Sequence, residues 1–86
     1  MDINQLIEIV KKKIQVSISC EKIHVEDKTF LHKKHQNHEH GKFHIKLIIK
    51  SLALKKLNKV DSSKKIYKIL DKELKEFIHS IQILIE

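Results

Sequence analysis

Histidine is the residue type in this chain best suited to do chemistry. Five of the seven histidines fall between positions 32 and 44, at His32, His35, His38, His40 and His44, and another, His79, stands near the C-terminal end. Neutral imidazole is a common ligand for zinc, iron, copper and nickel, and it changes charge near physiological pH. A His-rich segment can take up zinc or nickel without a rigid frame, as a purification tag does. The patterns that build a closed zinc site are missing, because the sequence has no HExxH and a single cysteine, Cys20. One cysteine also excludes an internal disulfide. His79 differs from the cluster: it directly follows Ile78 and opens an apolar stretch. A lone histidine in such a place is more often structural than ligating.

Other chemistry is thin. Cys20 has no base beside it in sequence and reads as a packing residue. Ser62 and Ser63 suit a helix start better than a nucleophile. Glu26 and Asp27 are adjacent, so on a strand they point to opposite faces and cannot share a proton. A single glycine cannot build a phosphate-cradling loop. No enzyme is expected.

Charge points elsewhere. All 18 basic residues are lysine, against 11 acidic ones, for a formal net charge of +7. The excess is central: between Lys28 and Lys65, Glu39 and Asp61 are the only acids among the lysines. Clustered lysines displace phosphate counterions and so favour nucleic acid. Lysine lacks the planar fork that reads guanine edges, which favours backbone contact over sequence reading. The plain alternative is a solvated, Lys-rich face.

These residues need elements to position them. A length of 86 residues, with 41% hydrophobic and 34% charged, fits one globular domain spanning 1–86. One Gly and no Pro argue against linkers and turn-rich sandwiches. No apolar run approaches the roughly 20 residues of a membrane span. The N-terminus carries no secretory signature, so a cytoplasmic, reducing compartment is expected.

Residues 2–14 read as an amphipathic helix, with Ile3, Leu6, Ile7, Val10 and Ile14 on one face, Asp2 as cap and Lys11 to Lys13 near its end. Residues 22–27 alternate as a strand, and residues 42–51 do so more strongly, with Phe43, Ile45, Leu47 and Ile49 facing one way and His44, Lys46 and Lys50 the other. Ile48 interrupts that polar face. Residues 28–41 form a His/Lys-rich connection between the two strands. A short helical turn follows at 52–57. A longer helix at 61–75 is capped by Asp61 or Ser62 and buries Ile66, Ile69, Leu70 and Leu74. A last strand spans 78–85, with Ile81, Ile83 and Ile85 on one face. Helices on one face of a three-stranded sheet would cover these stripes, which is an α+β fold.

Several landmarks resemble the BolA family in order. Val25-Glu26-Asp27-Lys28-Thr29 followed by His32 is similar to its V-x-D-x-S/T-x-x-H stretch. Lys42-Phe43-His44-Ile45, leading to Ile48-Ile49-Lys50-Ser51, is similar to its HFxVxIVS strand. Ile66-Tyr67-Lys68-Ile69-Leu70 with Glu73-Leu74 resembles its VYxxLxxEL helix, and Ile78-His79-Ser80-Ile81 resembles the I-H-A-L motif that opens its last strand.

The resemblance implies an αββααβ fold similar to class II KH domains. It also implies a partner role. Proteins of this family pair with monothiol glutaredoxins and share a [2Fe–2S] cluster, to which the glutaredoxin supplies a Cys and bound glutathione a second thiolate. The family's I-H-A histidine corresponds to His79, and its loop ligand to His38 or His40. The isolated chain would then be a cofactor-free monomer, and the complex a heterodimer acting in cluster trafficking or iron regulation. The family's alternative role is DNA binding and transcription regulation through its KH-like surface. The candidates for that contact are Lys55, Lys56, Lys59, Lys64 and Lys65. Where the family often has R-H-R, this chain has Ser62-Ser63-Lys64.

Overall fold

The computed structural model describes residues 1–29 and 42–86. The first helix, α1 (Ile3–Ser17), begins with a capping box. The Gln5 amide donates to the Asp2 carboxylate at 2.8 Å, and the Asp2 amide donates back to Gln5 Oε1 at 3.0 Å. The helix runs one turn past position 14 because its apolar stripe continues: Leu6, Val10, Ile14 and Ile18 are all buried at a spacing of four. Lys11 to Lys13 therefore sit inside the helix, and its last turn carries no basic residue.

Three strands follow the expected ranges closely: β1 (Lys22–Asp27), β2 (Phe43–Lys50) and β3 (Ile78–Ile85). They form one sheet of order β1-β2-β3, with β1 antiparallel and β3 parallel to β2. A parallel pair needs a crossover, and three helices supply it: α2 (Leu52–Lys55), α3 (Lys59–Ile69) and α4 (Asp71–Glu76). Ser51 opens α2. Its hydroxyl accepts from the Leu54 amide at 3.3 Å and donates to the Ser19 carbonyl at 2.7 Å, tying the crossover to the end of α1.

Two helix expectations change. The cap of α3 is Asn58, whose Oδ1 accepts from the Asp61 amide at 2.8 Å. Asp61 and Ser62 lie inside the helix, where Asp61 faces the positive end of the helix dipole. The single helix expected over 61–75 is two, broken at Leu70, which sits fully buried with φ −97° and ψ 18°. Ile66 and Leu70 are buried as expected, and Ile69 and Leu74 pack partly buried against them.

The core lies between the helices and one sheet face. Leu6, Val10 and Ile14 of α1, Leu54 of α2 and Ile66 of α3 pack with Val25 of β1 and with Ile45, Leu47 and Ile49 of β2. The opposite face has no helix on it among the described elements. There Ile48 stands half-buried in a row between its strand partners, His24 and Leu84. Cys20 is partly buried against the core.

Candidate functional site

The parallel pairing of β2 with β3 contains one irregularity. Phe43 pairs with Ile78, but the next residue, His44, pairs with Ser80, so His79 is an extra residue on β3. This is a bulge. Its effect shows in burial. Ile78 and Ile81 both pack on the core side, whereas His79 and Ser80 between them are both exposed. Regular alternation would have sent one of those two residues inward.

The bulge brings His79 against His44. The two ring centroids lie 4.8 Å apart at an interplanar angle of 51°, within the usual range for tilted aromatic pairs. His44 Nδ1 and the Ser80 hydroxyl oxygen are 2.6 Å apart, hydrogen-bonded with the donor set by the tautomer. His44 is 5% exposed. Alternation alone placed it on an outward polar face with Lys46 and Lys50. It is buried instead, with Ser80 of β3 bonded to its ring and Thr29 and Lys28 bonded to its backbone.

The end of β1 has its own staple. The Thr29 amide and hydroxyl both donate to Asp27 Oδ1, at 2.9 and 2.5 Å. The Thr29 hydroxyl oxygen accepts from the His44 amide at 3.2 Å, and the Lys28 amide donates to the His44 carbonyl at 2.7 Å. Across the sheet, the Phe43 amide donates to the Phe77 carbonyl at 2.9 Å. Thr29 and Lys42, the described residues on either side of segment 30–41, therefore stand at the His79 end of the sheet. Beside this staple, the carboxyl of Glu26 is shifted from its ordinary pKa. Partial burial pushes its carboxyl up. The Lys28 ammonium, by charge and by hydrogen bond, outweighs that and, with His24 and Lys46, holds it below 4.5.

His32, His35, His38 and His40 lie outside the described residues, so the structure leaves the loop-ligand expectation where it stood. Cys20 is placed far from His79. It precedes Glu21, whose amide donates to the Lys50 carbonyl at the opposite end of β2. At the usual strand rise the separation is about 20 Å. Among the described residues, no group of three or more His, Cys, Asp or Glu side chains converges to hold a metal ion. The described donor set at this end is thus an exposed imidazole with a buried one beside it. Two imidazoles fit a group whose remaining ligands come from elsewhere.

Lys55, Lys56, Lys59, Lys64 and Lys65 are all exposed, along α2, α3 and the turn between them. Lys55 and Lys59 border a cleft whose apolar walls are Leu54, Leu57 and the end of β3. Sequence reasoning missed the bulge and the burial of His44. A signal existed: Ile78 and Ile81 are three residues apart, whereas a regular strand repeats its core side every two.

Fold and site together define a small α+β module that offers an imidazole from a bulged edge strand of a mixed sheet. A family model described as BolA-like protein matches residues 14–86. A Haemophilus influenzae protein named DNA-binding transcriptional regulator BolA is 31% identical over 76 residues, covering 88% of this chain and 71% of that protein. The chain belongs to the BolA-like protein family. Among solved structures, the BolA domain of SufE1 from Arabidopsis thaliana aligns over 99% of this chain and 94% of its own, with a TM-score of 0.83 at 24% identity. BolA1 from Mus musculus aligns over 92% of this chain and 62% of its own, with a TM-score of 0.74 at 14% identity. At these identities the two structures speak to the fold, which is the one the family resemblance implied. No helix among the described residues is long and apolar enough to cross a membrane.

Proposed function

We propose that this chain is a non-enzymatic partner of a monothiol glutaredoxin and co-ligates a shared [2Fe–2S] cluster through His79, with His38 or His40 as its second ligand. The observation that carries this reading is the bulge at His79. It turns the imidazole out on an edge strand, at the sheet end where segment 30–41 departs and returns. Imidazole in place of thiolate lowers the negative charge around an iron and raises the reduction potential of such a cluster. The chain's own part is to present His79 from the bulge on β3.

The test mixes the purified chain with a monothiol glutaredoxin, glutathione, iron and sulfide, and records visible absorption and circular dichroism. The reading expects a coloured heterodimer whose spectrum differs from that of the glutaredoxin homodimer. It expects His79→Ala to alter that spectrum more than His35→Ala does. Identical spectra for His79→Ala and wild type would remove His79 as a ligand.

A second reading is nucleic-acid binding by Lys55, Lys56, Lys59, Lys64 and Lys65 in the cytoplasm. It is favoured by their common exposure on α2, α3 and the turn between them, and by the name of the Haemophilus influenzae relative. A salt titration of DNA affinity tests it, and absence of binding at low salt removes it.

A further inference from the structure

His44 has no task in the cluster reading, yet the fold buries it to 5% exposure on the sheet face that carries none of the described helices. Burying an imidazole costs free energy unless its polar atoms are satisfied. β3 supplies one ring partner and one ring contact: His44 Nδ1 bonds the Ser80 hydroxyl at 2.6 Å, and its ring lies against that of His79 at 4.8 Å. Its backbone is fixed on the other side by Thr29 and Lys28. We infer that His44 is a positioning residue for His79, setting the orientation of that imidazole by holding Ser80 and packing against the ring.

The physical need follows from the bulge. A bulge interrupts the regular alternation and re-aims a side chain, so the direction of the His79 imidazole is set locally and not by the strand period. A metal ligand must nevertheless be held to within about 0.5 Å and 10–20° of its working geometry. On β3, His79 and Ser80 are consecutive and both lie on the outer side, so a bond that pins Ser80 also restrains the peptide carrying His79. The ring of His44 then limits the rotamers His79 can take. Burial of His44 separates this role from ligation, because a second protein approaching the exposed His79 does not meet an exposed His44. Groups around a ligating histidine commonly fix its ring in this way.

The inference rests on the reading of His79 as a ligand, and two measurements separate their fates. The first uses the free chain. Three-bond side-chain couplings of His79 report its rotamer by NMR. Wild type is expected to hold one rotamer, and Ser80→Ala and His44→Leu to average between rotamers. His44→Asn, whose amide falls where Nδ1 lies, restores the single rotamer. Ser80 is exposed, so Ser80→Ala keeps the fold even where His44→Leu does not. The second uses the heterodimer loaded with glutathione, iron and sulfide. Loss of orientation is expected to shorten the half-life of its visible spectrum about tenfold in Ser80→Ala and to shift the EPR signal of the reduced cluster, with His44→Asn close to wild type. Unchanged couplings and an unchanged half-life in Ser80→Ala and His44→Leu would overturn the positioning role while leaving His79 a ligand. A wild-type spectrum in His79→Ala would remove the ligand and the positioning role together.

Discussion

Lys13 on α1 meets Glu73 on α4 across 60 residues of sequence, its ammonium donating to both carboxylate oxygens at 2.9 and 2.8 Å. The pair is lopsided. The Glu73 side chain is 4% exposed and that of Lys13 is 40% exposed. Removing Lys13 strands a buried carboxylate, whereas removing Glu73 frees a lysine that water can reach. Lys13→Met is therefore expected to cost about 1–3 kcal/mol in urea unfolding at neutral pH. Glu73→Leu is expected to cost less, and the double variant to recover most of the Lys13→Met loss. Equal midpoints for Lys13→Met and wild type would show that the pair does not clamp α1 to α4.

Glu26 gives the chain a small acid-side dependence. Its carboxyl is held below 4.5 in the fold and returns to its ordinary value on unfolding. A lowered folded value contributes stability above the ordinary pKa, and that contribution fades as pH falls through the folded value. The gap in urea midpoint between wild type and Glu26→Gln should thus be widest near neutral pH, narrow below about pH 4.5 and close in acid. Salt should shrink it at every pH, because the groups are near water. A gap that grows toward acid would reverse the assignment.

The strands were legible in the sequence because their alternation is carried by large apolar side chains, as in Phe43, Ile45, Leu47 and Ile49. The helix ends were less so. Asn58 and Asp61 are both good capping residues, and only the observed bond from the Asp61 amide to Asn58 decides between them. The break at Leu70 has no Pro or Gly to announce it; it follows from packing, with Leu70 driven into the core. For the candidate site, the I-H-S-I pattern singled out His79 but not its neighbour His44. The bond from His44 to Ser80 follows from parallel pairing with β3, a contact 36 residues distant that no local period encodes.

The lysines of α2, α3 and the turn between them make a quantitative statement about nucleic acid. If they contact phosphates, each contact contributes about 0.9 to the slope of log affinity against log salt on duplex DNA. Lys64→Gln and Lys65→Gln together should flatten the slope by up to about 2, with little change between sequences, since lysine here holds phosphates and does not read bases. A strong sequence preference, or an unchanged slope, would count against this surface.

Thr29 offers a direct test of how the His79 end of the sheet is held. Its hydroxyl is the acceptor for the His44 amide at 3.2 Å and a donor to Asp27 at 2.5 Å. Thr29→Val keeps the shape of the side chain and deletes both bonds. A net hydrogen bond of about 1 kcal/mol corresponds to roughly a fivefold change in a local opening equilibrium. Amide hydrogen exchange at His44 should accelerate by about that factor in Thr29→Val. The amides of Leu47 and Ile49, deep in the ladder between β1 and β3, should not change. Uniform acceleration along β2 would mean that Thr29 supports the whole sheet; unchanged exchange at His44 would mean that the bond contributes nothing to holding β1 against β2 at this end.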